Sequence, residues 1–468
     1  MMQTVELPLW LFLLIVLFAA VTFASHFLFP SVRWFFRRRL ERAVERLNRR
    51  LERPIRPFKL ARRYDMIQRL IYDPAVTKAM AAHAKASGIP DNVAFEEARR
   101  YAREIVPSFS AVAYFSIAIR LARFLSNTLY RVQLGYRDRP ALAQIDPEAT
   151  VVYVMNHRSN MDYVLITYLA ADHSALSYAV GEWARVWPLS RLIRAMGAYF
   201  IRRKSRNDLY RQVLSTYVRL ATQNGVTQAI FPEGGLSLTG ALQDPKVGLI
   251  KYIVDGYLAT DRTDELQRDV VFVPVAVNYD RVLEDQILTQ AAGEGQRKFR
   301  PRISVIALRF FYQVWLWITG RYRGVGQAAV SFGTPLSLQS ILAGTEDEAD
   351  DPTELGLELM ARIGEAVPIL PAPMVALLLD ELTVGGDTPI TVAQLEERVS
   401  AKLADLPTQH GLSADDRLSE MITQGVDRLK ARGIITQDDR GLHVAPDQRI
   451  LLAYYANSIR HLWPDKAR

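Results

Sequence analysis

The stretch VVYVMNHRSNMD, which runs from Val151 to Asp162, changes character halfway along its length. Its first five residues are apolar and favour a β-strand, so we predict a buried strand from Thr150 to Met155. A turn that holds His157 follows, and a helix is expected to begin near Asn160 or Met161. The pattern places an imidazole and a carboxylate at the C-terminal end of a strand, where open α/β folds bind their ligands.

The spacing between His157 and Asp162 suits general base catalysis. Across a strand-to-helix turn it can bring the carboxylate back onto one ring nitrogen, which leaves the other nitrogen to accept a proton from a substrate hydroxyl. No serine, cysteine or threonine nucleophile is needed, so the implied reaction is direct attack by an activated alcohol. The same spacing also suits a turn histidine with no catalytic role. His410 and Asp415 repeat it in a polar connection, where we predict no function.

The composition is that of a globular protein with a basic bias. The chain has 468 residues, is 49% hydrophobic and carries a net charge of +8, a length that allows about two or three hydrophobic cores. It has no cysteine, which excludes disulfides, thiolate metal sites and cysteine nucleophiles. No P-loop, HExxH or GxGxxG motif is present, and we expect neither a metal nor a bound cofactor.

Strand-like and helix-like segments alternate from Val151 to about Leu336. The strands are expected near 150–155, 176–180, 198–201, 227–231, 271–277 and 327–332. This alternation predicts an α/β layered domain with a largely parallel sheet, over residues 141–340. Three of these strands lie in blocks with polar or conformationally special residues: GAYFIRR at 197–203, FPEGGLS at 231–237 and VFVPVAV at 271–277.

Together with VVYVMNHRSNMD at 151–162, these segments make four blocks, which we number in chain order. In this order and at these intervals, the four blocks resemble the glycerophospholipid acyltransferases with an HxxxxD motif, and most closely the glycerol-3-phosphate acyltransferase family. The segment LLAYYANSIRHL at 451–462 is similar to the closing helix of that branch, so the resemblance runs from about residue 60 to the end. It implies transfer of a fatty acyl group from acyl-CoA or acyl carrier protein to the hydroxyl of glycerol 3-phosphate. The product would be lysophosphatidic acid, in phospholipid biosynthesis.

Three alternatives remain open at this point. The acceptor could be lysophosphatidic acid or dihydroxyacetone phosphate, or the chain could be a catalytically inactive, membrane-tethered binding protein. The thioester is a co-substrate, the acceptor is a small phosphorylated polyol, and no nucleic acid is expected as a partner.

The resemblance also assigns roles to particular residues. It makes His157 and Asp162 catalytic. It places acceptor binding at Arg202, Arg203, Glu233, Gly234, Gly235 and Ser237. Supporting roles are expected for Asn156, Arg158, Ser159, Lys204, Pro274 and Lys246. Two of these assignments have structural alternatives, because IRRKSR at 201–206 could be a solvated basic turn and Pro274 an edge-strand proline.

The third block departs from the family pattern. Family members commonly carry arginines at the third and fifth places after the glutamate, where this chain has Leu236 and Leu238. Two cations that could hold a phosphate are therefore missing. Lys246 and Lys251 are the candidates to replace them.

The N-terminus predicts a membrane anchor. Leu7 to Ser25 carries no charge and is long enough to span a bilayer, so we assign residues 1–30 to a transmembrane helix, with a buried core helix as the alternative. From Arg33 to Arg63 there are 13 Lys or Arg and 3 Glu, a net charge of +10, and we treat 31–63 as a basic juxtamembrane segment. The positive-inside rule then predicts a single-pass protein of the cell (inner) membrane whose catalytic domain is cytoplasmic. A solvated helix with internal ion pairs is the alternative for the basic segment.

The remaining segments are assigned from periodicity and composition. Residues 64–140 are predicted to be a helical region, helical throughout to about Leu134, and Ile303 to Ile318 is either a core helix or a membrane contact. Glu346 to Pro352 is an acidic linker before a C-terminal helical module at 353–468. That module contains a β-hairpin and is winged-helix-like, and we favour an intramolecular regulatory or packing role for it.

Overall fold

A computed structural model of the chain describes residues 8–18, 38–39, 42–170, 174–181, 189–202, 207–259, 268–294, 326–344, 351–383, 388–404, 406 and 415–464. Contacts divide the chain into two compact units, Met1–Ile55 and Arg56–Arg468. Arg203, Lys204, His410 and the segment 303–318, all considered above, lie outside the described residues.

The first unit contains the sequence assigned to a membrane anchor. Residues 9–18 form a helix whose large apolar side chains are mostly exposed, and residues 42–48 form a second helix. No helix in the described ranges has both the length and the apolar character needed to cross a membrane. Residues 1–7 and 19–30, which complete the predicted anchor, are not among the described residues. In the basic segment, Arg49 pairs with Glu45 at 3.0 Å on an exposed helix surface, as the solvated-helix alternative expects.

The helices of the second unit surround a sheet and continue into the C-terminal region. They are Pro57–Leu60, Arg63–Ile71, Pro74–Ser87, Asp91–Ile105, Ile119–Leu129, Arg139–Ala143, Asp162–Leu169, Leu189–Ala195, Asp208–Gln223, Gly248–Leu258, Asp285–Gly293, Leu338–Gly344, Pro352–Glu365, Pro371–Leu382, Val392–Ala404, Asp415–Lys430 and Arg449–Arg460. A π-helical segment, Ala113–Ala118, precedes Ile119–Leu129.

Eight strands form the main sheet and two form a hairpin. They are β1 (Arg131–Arg137), β2 (Thr150–Met155), β3 (Ser177–Gly181), β4 (Tyr199–Ile201), β5 (Gln228–Ile230), β6 (Val270–Tyr279), β7 (Gln327–Phe332), β8 (Leu336–Ser337), β9 (Ile435–Asp438) and β10 (Gly441–Val444). The order in the sheet is β1-β7-β6-β2-β5-β3-β4, with β8 also against β6. All pairs are parallel except those of β6 with β7 and with β8. The predicted α/β fold with a largely parallel sheet is confirmed, and all six predicted strands are present.

Strand β1 corrects the prediction of helix up to Leu134. The helix ends at Leu129, and Arg131–Arg137 pairs in parallel with β7. The sequence RVQLGYR alternates polar or small residues with apolar ones, which is the period of a strand. The sheet therefore begins within the segment that we predicted to be a helical region.

Pro274 lies inside the sheet, so its interpretation as an edge-strand proline is wrong. It pairs with Val154 of β2 on one side, and its carbonyl accepts a hydrogen bond from the N–H of Gly333 at 2.9 Å on the other. The missing N–H of proline is tolerated there because β6 changes partner at this point: β8 pairs with residues 271–272 and β7 with residues 275–279.

The C-terminal region is mainly helical and contains a β-hairpin, as predicted. Helix Pro371–Leu382 is almost wholly buried and packs against both Asp415–Lys430 and Arg449–Arg460. The hairpin β9–β10 is antiparallel, and Ile390 bridges to Leu442 on its other side. The winged-helix-like character of this region stays a prediction.

Candidate active site

The predicted contact between His157 and Asp162 is present. Strand β2 ends at Met155, helix Asp162–Leu169 begins seven residues later, and the turn between them brings the His157 Nδ1 to 2.9 Å from the Asp162 Oδ2. Within the described part of the chain, no group hydrogen-bonds to the other ring nitrogen, Nε2. His157 is 1% exposed, so a substrate must pass or displace neighbouring side chains to reach that nitrogen.

The Asp162 carboxylate accepts three hydrogen bonds besides the one from the imidazole. The backbone N–H groups of Arg158 and Ser159 donate to Oδ2 at 2.8 and 3.0 Å, and the Tyr279 hydroxyl donates to Oδ1 at 2.6 Å. A carboxylate held by four donors cannot rotate freely. It therefore holds the imidazole in one orientation, with Nε2 directed away from the acid.

Two aromatic rings pack against the imidazole. The ring of Phe231 lies 4.2 Å from it, centre to centre, at an angle of 34°, and the ring of Tyr163 lies 5.5 Å away at 84°. Phe231 directly follows β5, the neighbour of β2 in the sheet. The third block therefore reaches the histidine because the C-terminal ends of neighbouring parallel strands meet at one edge.

Glu233 contacts the backbone of the histidine. Its Oε1 accepts a hydrogen bond from the His157 N–H at 3.1 Å, and its Oε2 has no partner among the described residues. Burial raises the pKa of Glu233 to about 8, although the hydrogen bond from His157 and the positive charges of Arg158 and Lys246 act in the opposite direction. At neutral pH this side chain is therefore mainly a neutral acid, which does not repel a phosphate and can donate a proton to an acceptor oxygen.

The loop that follows Glu233 wraps around the same turn. The Ser237 N–H donates to the carbonyl of His157 at 3.0 Å, and the Lys246 ammonium group donates to the carbonyl of Glu233 at 2.9 Å. Gly234 has φ +66°, and a Cβ there would come within 2.6 Å of the Lys246 side chain. A glycine is favoured because this conformation is strained for other residues and because a side chain would displace Lys246.

The turn at residues 156–161, between β2 and helix Asp162–Leu169, is called the catalytic turn below. Three of its residues make structural contacts. The Arg158 guanidinium is buried, donates to the carbonyl of Gly240 at 2.5 Å and lies 5.3 Å from the ring of Tyr454, while its Nε and Nη2 lack partners among the described residues. The Asn156 amide makes two hydrogen bonds with the backbone of Val277. Ser159 donates its hydroxyl proton to the Glu284 carboxylate at 2.8 Å.

Two family models match the chain. The acyltransferase model matches residues 138–278, which include His157 and Glu233, and the model of the glycerol-3-phosphate acyltransferase C-terminal region matches residues 318–467. The resemblance to the glycerol-3-phosphate acyltransferase family that the sequence predicted is confirmed over both of these regions.

Individual relatives in this family match most of the chain. A glycerol-3-phosphate acyltransferase of Xylella fastidiosa (strain M23) is 28% identical over 459 residues, which cover 92% of this chain and 50% of the relative. One from Xanthomonas campestris pv. campestris is 27% identical over 452 residues, covering 91% and 48%. The chain thus spans about half the length of the curated relatives that it matches.

A solved structure also matches in part. It is the 1-acyl-sn-glycerophosphate (LPA) acyltransferase of Thermotoga maritima, which is 16% identical and covers 62% of this chain and 94% of its own, with a TM-score of 0.32. That score is too low to establish a shared fold.

Arg202 is not in contact with the catalytic turn. Its guanidinium makes two hydrogen bonds, of 2.8 and 2.6 Å, to the Glu104 carboxylate and lies near the rings of Tyr101 and Tyr210. Two strands, β5 and β3, separate β4 from β2 in the sheet. The acceptor-binding role that the family resemblance assigns to Arg202 stays a prediction, as does that of Arg203.

The residues at the family's missing arginines are apolar and partly buried. Leu236 and Leu238 pack against the hydrophobic core, and Gly235 before them is half-buried. Of the two candidate replacements, Lys251 is 56% exposed and pairs with Asp255 of its own helix at 3.0 Å. Lys246 is therefore the lysine that lies at the site.

Tyr279 and Glu284 are site residues that were not predicted from the sequence. Both follow the apolar run 271–277 of the fourth block, at or just beyond the C-terminal end of β6. Because β6 pairs in parallel with β2, its C-terminal end lies beside the catalytic turn. Polar residues that follow the apolar run 271–277 could therefore have been predicted to lie at the site.

Proposed function

We propose that this chain is an O-acyltransferase that moves a fatty acyl group from a thioester to the hydroxyl of glycerol 3-phosphate, giving lysophosphatidic acid. The observation that carries the proposal is the His157–Asp162 pair, whose carboxylate is fixed by three further donors and whose Nε2 is left available. The similarity to glycerol-3-phosphate acyltransferases supports the choice of acceptor. The donor would be acyl-CoA or acyl carrier protein.

The reaction follows from the available nitrogen. Nε2 of His157 removes the proton from the acceptor hydroxyl as its oxygen attacks the thioester carbonyl, which forms a C–O bond and a tetrahedral oxyanion. Collapse of that intermediate breaks the C–S bond, and the imidazolium returns its proton to the departing thiolate. General base catalysis of this kind contributes about 10² to 10⁴ in rate.

The acceptor site would be built around the third block. A neutral Glu233 can hydrogen-bond a glycerol hydroxyl or a phosphate oxygen, and Lys246 and Arg158 supply positive charge beside it. With Leu236 and Leu238 in place of arginines, this is fewer cations than the family usually offers. Dihydroxyacetone phosphate and lysophosphatidic acid, which also present a hydroxyl and a phosphate, are therefore the acceptors to compare.

We also propose that the N-terminus holds the enzyme at the inner membrane as a single-pass anchor, with the catalytic region in the cytoplasm. The exposed apolar side chains of residues 9–18 and the net charge of +10 over Arg33 to Arg63 support this. The full chain should then resist extraction from membranes by alkaline carbonate, and a variant that lacks residues 1–30 should be released.

The decisive test compares two histidine variants of the purified full chain. His83 is hydrogen-bonded to Glu97 at 2.9 Å, like His157 to Asp162, but this pair joins helix Pro74–Ser87 to helix Asp91–Ile105. With labelled acyl-CoA and each of the three acceptors in turn, we expect His157→Ala to lower kcat by about 10² to 10⁴ and His83→Ala to leave it unchanged. Near-normal turnover by His157→Ala would remove this histidine from the mechanism, and no transfer by the wild type to any acceptor would favour the binding protein.

A further inference from the structure

A second carboxylate holds the turn between His157 and Asp162. Glu284 is 4% exposed and follows the C-terminal end of β6. It accepts hydrogen bonds from the Ser159 hydroxyl at 2.8 Å, the Asn160 side-chain amide at 3.0 Å and the Asn160 N–H at 3.3 Å. Every one of these donors belongs to the residues that separate the histidine from the aspartate.

The two carboxylates hold different groups of the same turn. Asp162 takes the backbone N–H groups of Arg158 and Ser159, whereas Glu284 takes the Ser159 side chain and both N–H donors of Asn160. Burial raises the pKa of Glu284, and the nearby negative charge of Asp162 acts in the same direction. A second buried acid this close to the first is unfavourable in itself, so its three hydrogen bonds must be what keeps it there.

The residue after Glu284 is fixed by the C-terminal helices. Asp285 accepts a hydrogen bond from the Tyr455 hydroxyl and pairs with the Arg432 guanidinium at 2.6 Å. The Tyr455 oxygen in turn accepts from the N–H of Val282 at 3.1 Å and from Arg432 at 2.8 Å. The Arg432 and Asp285 side chains are largely buried, where an ion pair resists solvent screening better than at the surface.

We propose that Glu284 is a positioning residue, which acts through Ser159 and Asn160 to hold His157 in its productive orientation, and that Arg432 and Tyr455 hold Glu284 in place. This rests on the proposed role of His157 as the general base. The C-terminal region then has a defined part in the reaction. It holds Glu284 in place, and Glu284 holds the catalytic turn.

The test substitutes Glu284 by glutamine in the full chain. A glutamine has the same shape, but it has one acceptor oxygen where the carboxylate has two. It therefore cannot accept all of the hydrogen bonds that Ser159 and Asn160 donate to Glu284. For Glu284→Gln we expect kcat to fall about 10-fold or more, with the KM values for donor and acceptor within about twofold of the wild type. A purely structural role would instead reduce the amount of folded enzyme and leave kcat per folded molecule unchanged.

Asp269 offers a matched control at the other end of β6. It directly precedes the first residue of that strand, and its carboxylate accepts hydrogen bonds from the Ser337 hydroxyl at 2.6 Å and from the Gln339 N–H at 3.0 Å. Asp269→Asn therefore removes a similar acceptor without touching the turn. We expect its kcat to equal that of the wild type.

Arg432 tests the second step of the proposal. Arg432→Met removes the cation beside Asp285, whereas Arg432→Lys keeps a positive charge there, so the methionine variant should lose more kcat than the lysine variant. If Arg432 acts through Glu284, the Glu284→Gln and Arg432→Met effects will not multiply in the double variant. Fully multiplicative effects would overturn this link.

Proton NMR of the Nδ1–H of His157 gives a readout that needs no activity. The signal is assigned by its loss in His157→Ala, and we expect it to shift or broaden in Glu284→Gln but not in Asp269→Asn. An unchanged signal together with an unchanged kcat would overturn the proposal. If the wild type transfers no acyl group, the proposed function falls while the NMR comparison still decides the positioning role. Should Glu284→Gln not fold, Ser159→Ala removes one donor to Glu284 and must show the same changes.

Discussion

At the scale of single residues, the site depends on how burial changes the chemistry of an acid. Glu233 lies beside a histidine that is proposed to remove a proton and an acceptor that is proposed to carry a phosphate. A charged carboxylate would repel the phosphate. Because burial raises the pKa of Glu233 to about 8, its neutral form predominates at pH 7 and does not repel the phosphate.

This predicts that acceptor binding weakens in alkaline solution. The acceptor KM should rise as the pH passes about 8 and Glu233 ionises, while Glu233→Gln, which stays neutral, should lose that dependence. The groups that face Glu233 are His157, Arg158, Asp162 and Lys246. The check is a profile of kcat and KM against pH for both proteins. A KM that rises equally in the glutamine variant would assign the dependence to another group.

The raised pKa of Glu233 also makes the free energy of unfolding depend on pH. The folded state keeps the Glu233 proton up to about pH 8, whereas the unfolded chain loses it near the ordinary value of 4.5. The folded state thus binds more protons between these values, so this residue's contribution to the free energy of unfolding falls as the pH rises from 4.5 to 8.

The sequence could predict the local contacts of the site but not the distant ones. His157 and Asp162 are five residues apart, so a turn alone can join them. Tyr279 is 117 residues from Asp162, and Glu104 is 98 residues from Arg202. Only the folded sheet shows that the tyrosine supports the aspartate and that the glutamate already binds the arginine assigned to the acceptor.

At the scale of helices and strands, the degree of burial determined which strands could be predicted from the sequence. Strands β2 and β6 are buried along their whole length, so each reads as a continuous apolar run and was predicted. Strand β1 is half-exposed and follows an apolar helix, and its alternation was overlooked. The direction of β7 could not be predicted, because the composition of an apolar run is the same whichever way the strand runs.

One side chain extends the pairing of β2 with β6 beyond the end of β2. The last residue pair is Met155 with Val275, and the Asn156 amide then donates to the Val277 carbonyl at 2.9 Å and accepts from its N–H at 2.8 Å. The asparagine therefore replaces the next step of the ladder and fixes where the catalytic turn begins.

Removing that amide should be costly. Asn156→Ala leaves the buried N–H and carbonyl of Val277 without partners, and we expect the free energy of unfolding to fall by roughly 2–4 kcal/mol. Asn224→Ala is the matched control, since that amide donates at 2.7 Å to a carbonyl of its own helix, and we expect it to cost less than about 1 kcal/mol. Urea unfolding of both variants measures the difference. Equal losses would show that Asn156 does not carry the strand pairing.

At the scale of the whole molecule, the C-terminal region closes over the catalytic turn. The Asn457 amide donates to the carbonyl of Thr239 at 3.0 Å, and the Tyr454 ring lies against the Arg158 guanidinium. Asn457 and Thr239 are 218 residues apart, so this contact could not be predicted from local sequence. The segment predicted as a separate C-terminal module lies in the same compact unit as the sheet, Arg56–Arg468.

Gly240 lies where the C-terminal helix meets the third-block loop. It has φ +84°, and a Cβ there would come within 1.8 Å of the Tyr454 carbonyl oxygen, so an alanine forces the helix or the loop to move. Gly433 has a similar φ, +67°, with no atom within 4 Å of the same position. The pair separates the strain of a left-handed backbone from the clash with the helix.

We therefore expect Gly433→Ala to cost only about 1–2 kcal/mol, the strain of the left-handed conformation, and to leave acyl transfer unchanged. Gly240→Ala should cost on the order of 3 kcal/mol or more, because a clash with a buried backbone adds to that strain. It should also lower kcat, since the Gly240 carbonyl holds the Arg158 guanidinium next to His157. Urea unfolding and acyl transfer are measured on both variants. Equal stability and full activity in the two would mean that the C-terminal helix can leave this loop without consequence for the site.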